Sequence, residues 1–182
     1  MRYERCEREQ VFNALYDAYY DAVRAYAWRR DRVSADDAVA ETFLVAWRRL
    51  EEIPDKAQLP WLLGVSRNTI LNIQRGERRR RERELREVPA PAPISTDYLD
   101  DLGECDPHIT RLLRRLPAAE REVLLLVAWE GLDRDAIARV VGCSRANVAV
   151  RLHRARCRVR ALMEGSALTA PASLLSLGAQ DE

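Results

Sequence analysis

The stretch from Cys143 to Met163, CSRANVAVRLHRARCRVRALM, limits the fold more than any other part of the chain. Between Arg145 and Arg160 it carries six arginines, one histidine and no acid. Val148, Leu152, Ala155, Val159 and Leu162 recur at steps of four, three, four and three, the spacing of a helix with one buried face. Asn147, Arg151, Arg154 and Arg158 fall on the opposite side. The segment therefore reads as a helix with an apolar seam and a cationic face. The seam needs other helices to cover it, and the face is suited to a polyanion.

The remaining pattern is helical as well. Phe12, Tyr16, Tyr19, Val23 and Tyr26 repeat at four, three, four and three, predicting a long first helix. SADDAVAETFLVAWRRL predicts a second, with Ser34 as N-cap, Asp37 as its capping-box partner, and Val39, Phe43, Ala46 and Leu50 as its buried stripe. Pro54 breaks the pattern. Pro60 sits where a first helical turn tolerates proline, and PWLLGVSRNTILNIQRGERRRRERELRE reads as a third helix with a charged tail. Residues 88–107 hold four of the eight prolines and an acidic cluster, and are expected to form a flexible or extended linker. The helical pattern resumes at Ile109. ITRLLRRL ends at Pro117, AAEREVLLLVAWEG is stopped by Gly131, Asp133 caps RDAIARVVG, Gly142 stops it, and Ser144 caps the basic helix. Residues 166–182 are expected to be disordered. The fold class that follows is all-α: two small helical domains, 1–87 and 108–165, joined by the linker.

Charge is informative in its distribution only. The whole chain holds 30 basic and 29 acidic residues. Residues 1–77 carry 12 basic and 13 acidic groups, a balance of −1, whereas residues 109–165 carry 12 and 6, a balance of +6. A basic C-terminal block behind a neutral one points to a polyanion partner for that block. Of the four cysteines, Cys6, Cys105, Cys143 and Cys157, no pair has the C-x-x-C spacing, and only His108 and His153 are available to join them. No metal site and no cofactor are expected, and the thiols read as idle in a reducing compartment. The N-terminus lacks the apolar run of a signal peptide and no stretch approaches the ~20 apolar residues of a membrane span, so a cytoplasmic location is expected.

RDAIARVVG and SRANVAVRLHRARCRVR, joined by a tight glycine-containing turn, have the layout of a helix-turn-helix. Ala138 is small where the two helices would cross. Gly142 permits the left-handed backbone of the turn, and Ile137 and Val141 are placed to pack on Val148 and Leu152. The N-terminal end of the second helix then enters a major groove. Arg145, Asn147 and Arg151 are positioned to reach base edges, arginine pairing with guanine and asparagine with adenine. Arg154, Arg158 and Arg160 lie further along and are placed for phosphates.

These motifs resemble a known family. LLRRLPAAEREVLLLVAWEGLDRDAIARVVGCSRANVAVRLHRAR is similar to the second conserved domain of bacterial RNA polymerase sigma factors of the extracytoplasmic-function group. The likeness lies in Leu116-Pro117, Arg121 to Leu124, Glu130-Gly131-Leu132 and Arg151 to Arg156. DDAVAETFLVAWRRL and PWLLGVSRNTILNIQRGERRRR resemble the family's other conserved domain. The resemblance runs over about residues 10–165, and the linker has the length of the minimal two-domain type. It implies that Ser144, Arg145, Asn147, Arg151, Arg154 and Arg158 contact the −35 promoter element. Asp37, Glu41, Leu44 and Arg48 would form the face that grips the coiled coil of the polymerase β′ subunit. Here the sequence departs from the family at Ala38 and Ala40, where leucine and glutamine are common. Lys56, Gln58, Trp61, Arg67, Asn68, Asn72 and Arg75 would recognise and melt the −10 element, the loop Pro54 to Leu59 pocketing a flipped base. Aromatic, amide and guanidinium groups together suit single-stranded DNA. Arg78 to Arg81 are placed for backbone phosphate. The implied partners are core RNA polymerase, through its β′ coiled coil and β flap, promoter DNA, and an anti-sigma protein.

The expected function is thus that of a non-enzymatic initiation factor. One alternative is a stand-alone helix-turn-helix regulator whose N-terminal helices sense a ligand or dimerise; it would bind its operator without polymerase. Another is a DNA-processing enzyme using Asp36, Asp37 and Glu41 as metal carboxylates, although capping and docking already account for that helix.

Overall fold

The computed structural model describes residues 5–84 and 107–164, which belong to two compact helical units. The expected linker, apart from Pro107, and the expected disordered tail lie outside the described residues. In the first unit α1 (Arg5–Arg30), α2 (Ala35–Arg48) and α3 (Gln58–Glu84) pack on one another, with a single 3-10 turn at Leu50–Glu52 between the last two. In the second, α4 (Pro107–Arg114), α5 (Ala118–Ala128), α6 (Arg134–Val141) and α7 (Arg145–Glu164) follow in order. All described regular structure is helical, as the patterning predicts.

The first unit is built on apolar stripes that face inward from three helices. Val39, Phe43, Ala46 and Leu50 are buried as expected. On α1 the outcome is broader than the predicted stripe. Leu15, Val23, Tyr26 and Ala27 form its buried side, while Tyr19 is half-buried and Tyr16 is 37% exposed. The reason is that both α2 and α3 pack on α1, so its covered face spans more than one row of side chains. The aromatic rings sit at the margin of that core. Tyr16 stacks on Tyr20 at 4.9 Å between centroids and meets Phe43 at 4.7 Å, while Phe12 stands edge-on to Trp47 at 5.2 Å. Such pairs add to the stabilisation that burial supplies.

Arg8 fastens the start of α1 to the end of α2. Its Nη2 donates to the Trp47 carbonyl at 2.6 Å, and its guanidinium lies over the Trp47 ring, 5.1 Å from the centroid. A cation there meets the negative end of the α2 dipole. At the other end of α1, the Arg30 guanidinium is buried over the Tyr26 ring at 3.5 Å, a cation–π contact removed from water.

The expected capping box on α2 does not form. Ser34 occupies the N-cap with φ −106° and ψ 11°, not the extended backbone that turns a cap hydroxyl toward the helix amides. Its Oγ is buried without a hydrogen-bond partner, and its amide donates to Asp31 Oδ1 at 3.2 Å. Asp31, upstream, has thus taken the place expected of Asp37. Asp133 shows the contrast. With φ −72° and ψ 172° it accepts from the Ala136 amide at 2.7 Å and caps α6 as predicted. Ser144 Oγ likewise accepts from the Asn147 amide at 3.2 Å at the start of α7.

In the second unit α7 packs on α4, α5 and α6. Val148, Leu152, Ala155, Val159 and Met163 are its buried residues. The seam was expected to close on Leu162, which is half-buried instead. A straight helix drifts by about 20° per heptad from a seven-residue repeat, so in the last turn the seam passes between Leu162 and Met163. α5 supplies the opposite wall with Val123 to Val127, and α6 adds Ala136, Ile137 and Val140. Glu120 is buried at the start of α5 and is held by Arg158 Nη1 of α7.

Urea unfolding of the full chain distinguishes these contacts. Ser34→Ala leaves stability unchanged or raises it, because it removes an unsatisfied buried hydroxyl, while Asp133→Ala lowers it by about 1 kcal/mol. Arg158→Ala lowers it by about 1–3 kcal/mol, because a buried carboxylate loses its charged partner, and Glu120→Gln in the same chain recovers part of the loss.

Candidate functional site

The helix-turn-helix is assembled as its residues predict. The α6 C-terminus closes on Gly142, whose φ of 72° is left-handed. The Gly142 and Cys143 amides both donate to the Ala138 carbonyl, at 2.9 and 3.0 Å. Space around the Gly142 Cα is open. Glycine is required there by backbone conformation and not by crowding. Ile137 is fully buried and Val141 half-buried on α6, which packs on α7, where Val148 and Leu152 are buried.

With the seam of α7 inward, Ser144, Arg145 and Asn147 are exposed at its beginning, with Arg154 and Arg158 further along; Arg151 is half-buried. The first turn of α7 contains no acid, so the partial positive charge of the helix end adds to the arginines. The cations are not equally available. Arg145 Nη1 lies 3.4 Å from Asp135 Oδ2 on α6. Arg158 spends one nitrogen on Glu120 while 48% of its side chain stays exposed. Arg156 is partly buried; burial first, and the like charge of Arg134 second, lowers its pKa below the ordinary arginine range. On the neighbouring turns His153 Nε2 and Cys157 Sγ approach to 3.6 Å on the exposed surface. Among the described residues no group of three or more His, Cys, Asp and Glu is arranged to hold a metal ion.

In the first unit, Asp37, Glu41, Leu44 and Arg48 are all exposed at steps of four, three and four along α2, opposite the buried Val39 and Phe43. Leu44 is 40% exposed, an apolar centre among charges. This face mixes charges of both signs with one apolar side chain.

The third set divides. Asn68, Asn72 and Arg75 are exposed along one stripe of α3, and Arg75 Nη1 donates to Asn72 Oδ1 at 3.2 Å. Trp61 begins that stripe and is half-buried. Lys56 is exposed, Gln58 is half-buried in the first turn of α3, and Arg67 is half-buried outside the stripe. Between α2 and α3 runs a groove of about 460 Å³ lined by Glu41, Val45, Arg49, Val65, Asn68, Thr69, Asn72 and Ile73. It brings Glu41 of the exposed α2 face alongside Asn68 and Asn72.

Arg49 is the functional candidate that the spacing did not show. Its guanidinium lies over the Trp61 ring at 5.9 Å from the centroid, and its Nε donates to Glu52 Oε2 at 2.9 Å. The hydrogen bond from Arg49, and less so its charge, holds the Glu52 carboxyl below the usual carboxylate range. The i, i+3 relation of Arg49 and Glu52 was readable, but its meaning depends on Trp61 arriving from the next helix. No helix among the described residues is long and apolar enough to cross a membrane.

Comparison with known proteins fits these two units one by one. Residues 15–81 match the sigma-70 region 2 family and residues 108–159 the sigma-70 region 4 family. The ECF RNA polymerase sigma factor SigL of Mycobacterium tuberculosis is 32% identical over 161 residues, which cover 84% of this chain and 86% of that protein. The probable RNA polymerase sigma factor RfaY of Xanthomonas campestris is 30% identical over 161 residues; the match covers 84% of this chain but 40% of that longer protein. Among solved structures, the sigma factor RpoE of Bartonella quintana, in complex with the anti-sigma factor NepR, has a TM-score of 0.59 at 24% identity, covering 84% of this chain and 96% of that one, a likeness of fold. With both regions present in order and a relative of this identity matched over most of its length, the chain belongs to the extracytoplasmic-function group of sigma-70 RNA polymerase sigma factors.

Proposed function

We propose that this chain, as a member of a family that directs transcription initiation and leaves the chemistry to polymerase, divides that work among its residues as follows. The exposed N-terminal turns of α7 read the −35 element as duplex, with Arg145 and Asn147 on base edges, Ser144 and Arg151 beside them, and Arg154 and the free edge of Arg158 on phosphates. The α2 face of Asp37, Glu41, Leu44 and Arg48 docks on the β′ coiled coil, and the second unit meets the β flap. The loop with Lys56 and Gln58, and the α3 residues Trp61, Arg67, Asn68, Asn72 and Arg75, recognise and open the −10 element. Arg49 holds the Trp61 ring in place for that work. An anti-sigma protein is a further partner in this reading, and the protein acts in the cytoplasm.

The observation that carries the reading is the separation of faces on α7. Its seam of Val148, Leu152, Ala155, Val159 and Met163 is buried, while the groups suited to bases are exposed at the end that a groove would admit, with Val150 exposed among them. Neither DNA contact needs to be strong. Once both units sit on polymerase, the second contact forms at the effective concentration set by the linker.

Run-off transcription with purified core polymerase tests the whole reading. Transcription in wild type that depends on core is expected; equal promoter binding by the free chain would overturn it. Asp37→Arg with Glu41→Arg lowers core affinity by about tenfold or more, as like charges are juxtaposed, and leaves the unfolding midpoint unchanged. Arg145→Ala or Asn147→Ala lowers transcription and relaxes the −35 preference, each by a factor of about 5–100. A carboxyl titration followed by NMR checks the Arg49 contact: the Glu52 midpoint lies below the usual range in wild type and rises toward it in Arg49→Ala. The depressed value means that the pairing is complete above the ordinary carboxylate pKa and is lost as pH falls through the folded-state value.

A further inference from the structure

The pair between Asp135 and Arg145 joins the two helices of the helix-turn-helix at the end that reads DNA. Arg145 opens α7, and Asp135 stands in the first turn of α6. They meet through a single guanidinium nitrogen, Nη1, at 3.4 Å from Asp135 Oδ2, with side chains 61% and 53% exposed. An ion pair this exposed contributes little to folding. Its effect is on direction. An arginine at a helix N-terminus with no neighbouring acid can reach bases or any nearby phosphate by rotation about its long side chain. The first turn of α7 has no acid of its own, so Asp135 is the counter-charge that this guanidinium has met.

The contact uses one corner of the guanidinium. Nε and Nη2 form its other edge, and a bidentate contact with a guanine uses one edge. The carboxylate can stay in place while that edge reads the base. It also repels the phosphate backbone, so Arg145 is less able to gain on a wrong sequence by swinging to a phosphate. One contact orients the correct interaction in advance and penalises the sequence-independent one, the two ingredients of specificity.

We propose that Asp135 is a specificity-determining positioning residue for the −35 element: it holds Arg145 by one corner with the reading edge free, and keeps it from phosphate. The proposal rests on the reading of Arg145 as a base contact.

The test uses the full chain with core polymerase and a set of promoters differing by single base pairs across the −35 element. The readout is the ratio of initiation on the preferred sequence to that on each variant. Asp135→Asn is expected to reduce the ratio at one base pair by about two- to fivefold, the scale of an exposed ion pair. It does so with initiation on the variant promoters raised or unchanged. Arg145→Ala reduces the ratio at the same base pair, and Asp135→Asn adds nothing in that background. A merely structural role would lower initiation on all promoters alike. If Arg145→Ala narrows the ratio while Asp135→Asn leaves it unchanged, or lowers all promoters together, the role of Asp135 is refuted and the reading of Arg145 stands. If Arg145→Ala itself leaves every ratio unchanged, the base contact fails and the role of Asp135 falls with it.

Discussion

The second unit depends on burial of one row of side chains, Val148, Leu152, Ala155, Val159 and Met163, beneath three shorter helices. α4 and α6 are eight residues each and α5 is eleven. Helices of that length are marginal on their own in water. They persist because each places an apolar face on α7 or on a neighbour that does. Once the row is buried, the rotation of α7 about its axis is settled, and with it the direction in which every polar residue of α7 points. The cationic surface is a consequence of the packing and not a separate design.

The first unit obeys the same constraint with a different result. Its three helices are longer and its margin is aromatic, so rings and guanidinium groups are paired: Arg8 with Trp47 and Arg49 with Trp61 at the margin, and Arg30 with Tyr26 beneath it. The guanidinium is planar and weakly hydrated, so it can lie on a ring and still spend its donors elsewhere. Arg8 does this with the Trp47 carbonyl and Arg49 with Glu52. In a chain whose basic residues are arginine in every case but Lys56, this is a recurring way of holding the ends of helices together.

What the sequence made legible was local. The seam of α7, the caps at Asp133 and Ser144 and the turn at Gly142 each depend on neighbours within four positions, and each is present as expected but for the last position of the seam. The division into two helical domains, and the family they belong to, were legible for the same reason. The residues that escaped depend on distant partners. Arg8 meets a carbonyl 39 residues away, and Arg158 meets Glu120 38 residues away. With 30 basic and 29 acidic side chains, spacing alone offers too many pairings to choose among. Ser34 failed differently. Residue type favoured a cap, but the preceding turn, tied to Asp31, gave it a backbone that turns the hydroxyl away. Leu162 failed by drift, the accumulated difference between a seven-residue repeat and a straight helix.

The double donation of the Gly142 and Cys143 amides to the Ala138 carbonyl has a consequence for evolution. The angle between α6 and α7 is written in backbone, so it does not depend on what the exposed positions of the first turn of α7 carry. Those positions can be exchanged to suit a new promoter without the scaffold being rebuilt. Further along, at Arg158, the same freedom ends, because that side chain also holds Glu120. Divergence of binding preference among chains of this kind should therefore concentrate at the front of the helix and fade toward its rear.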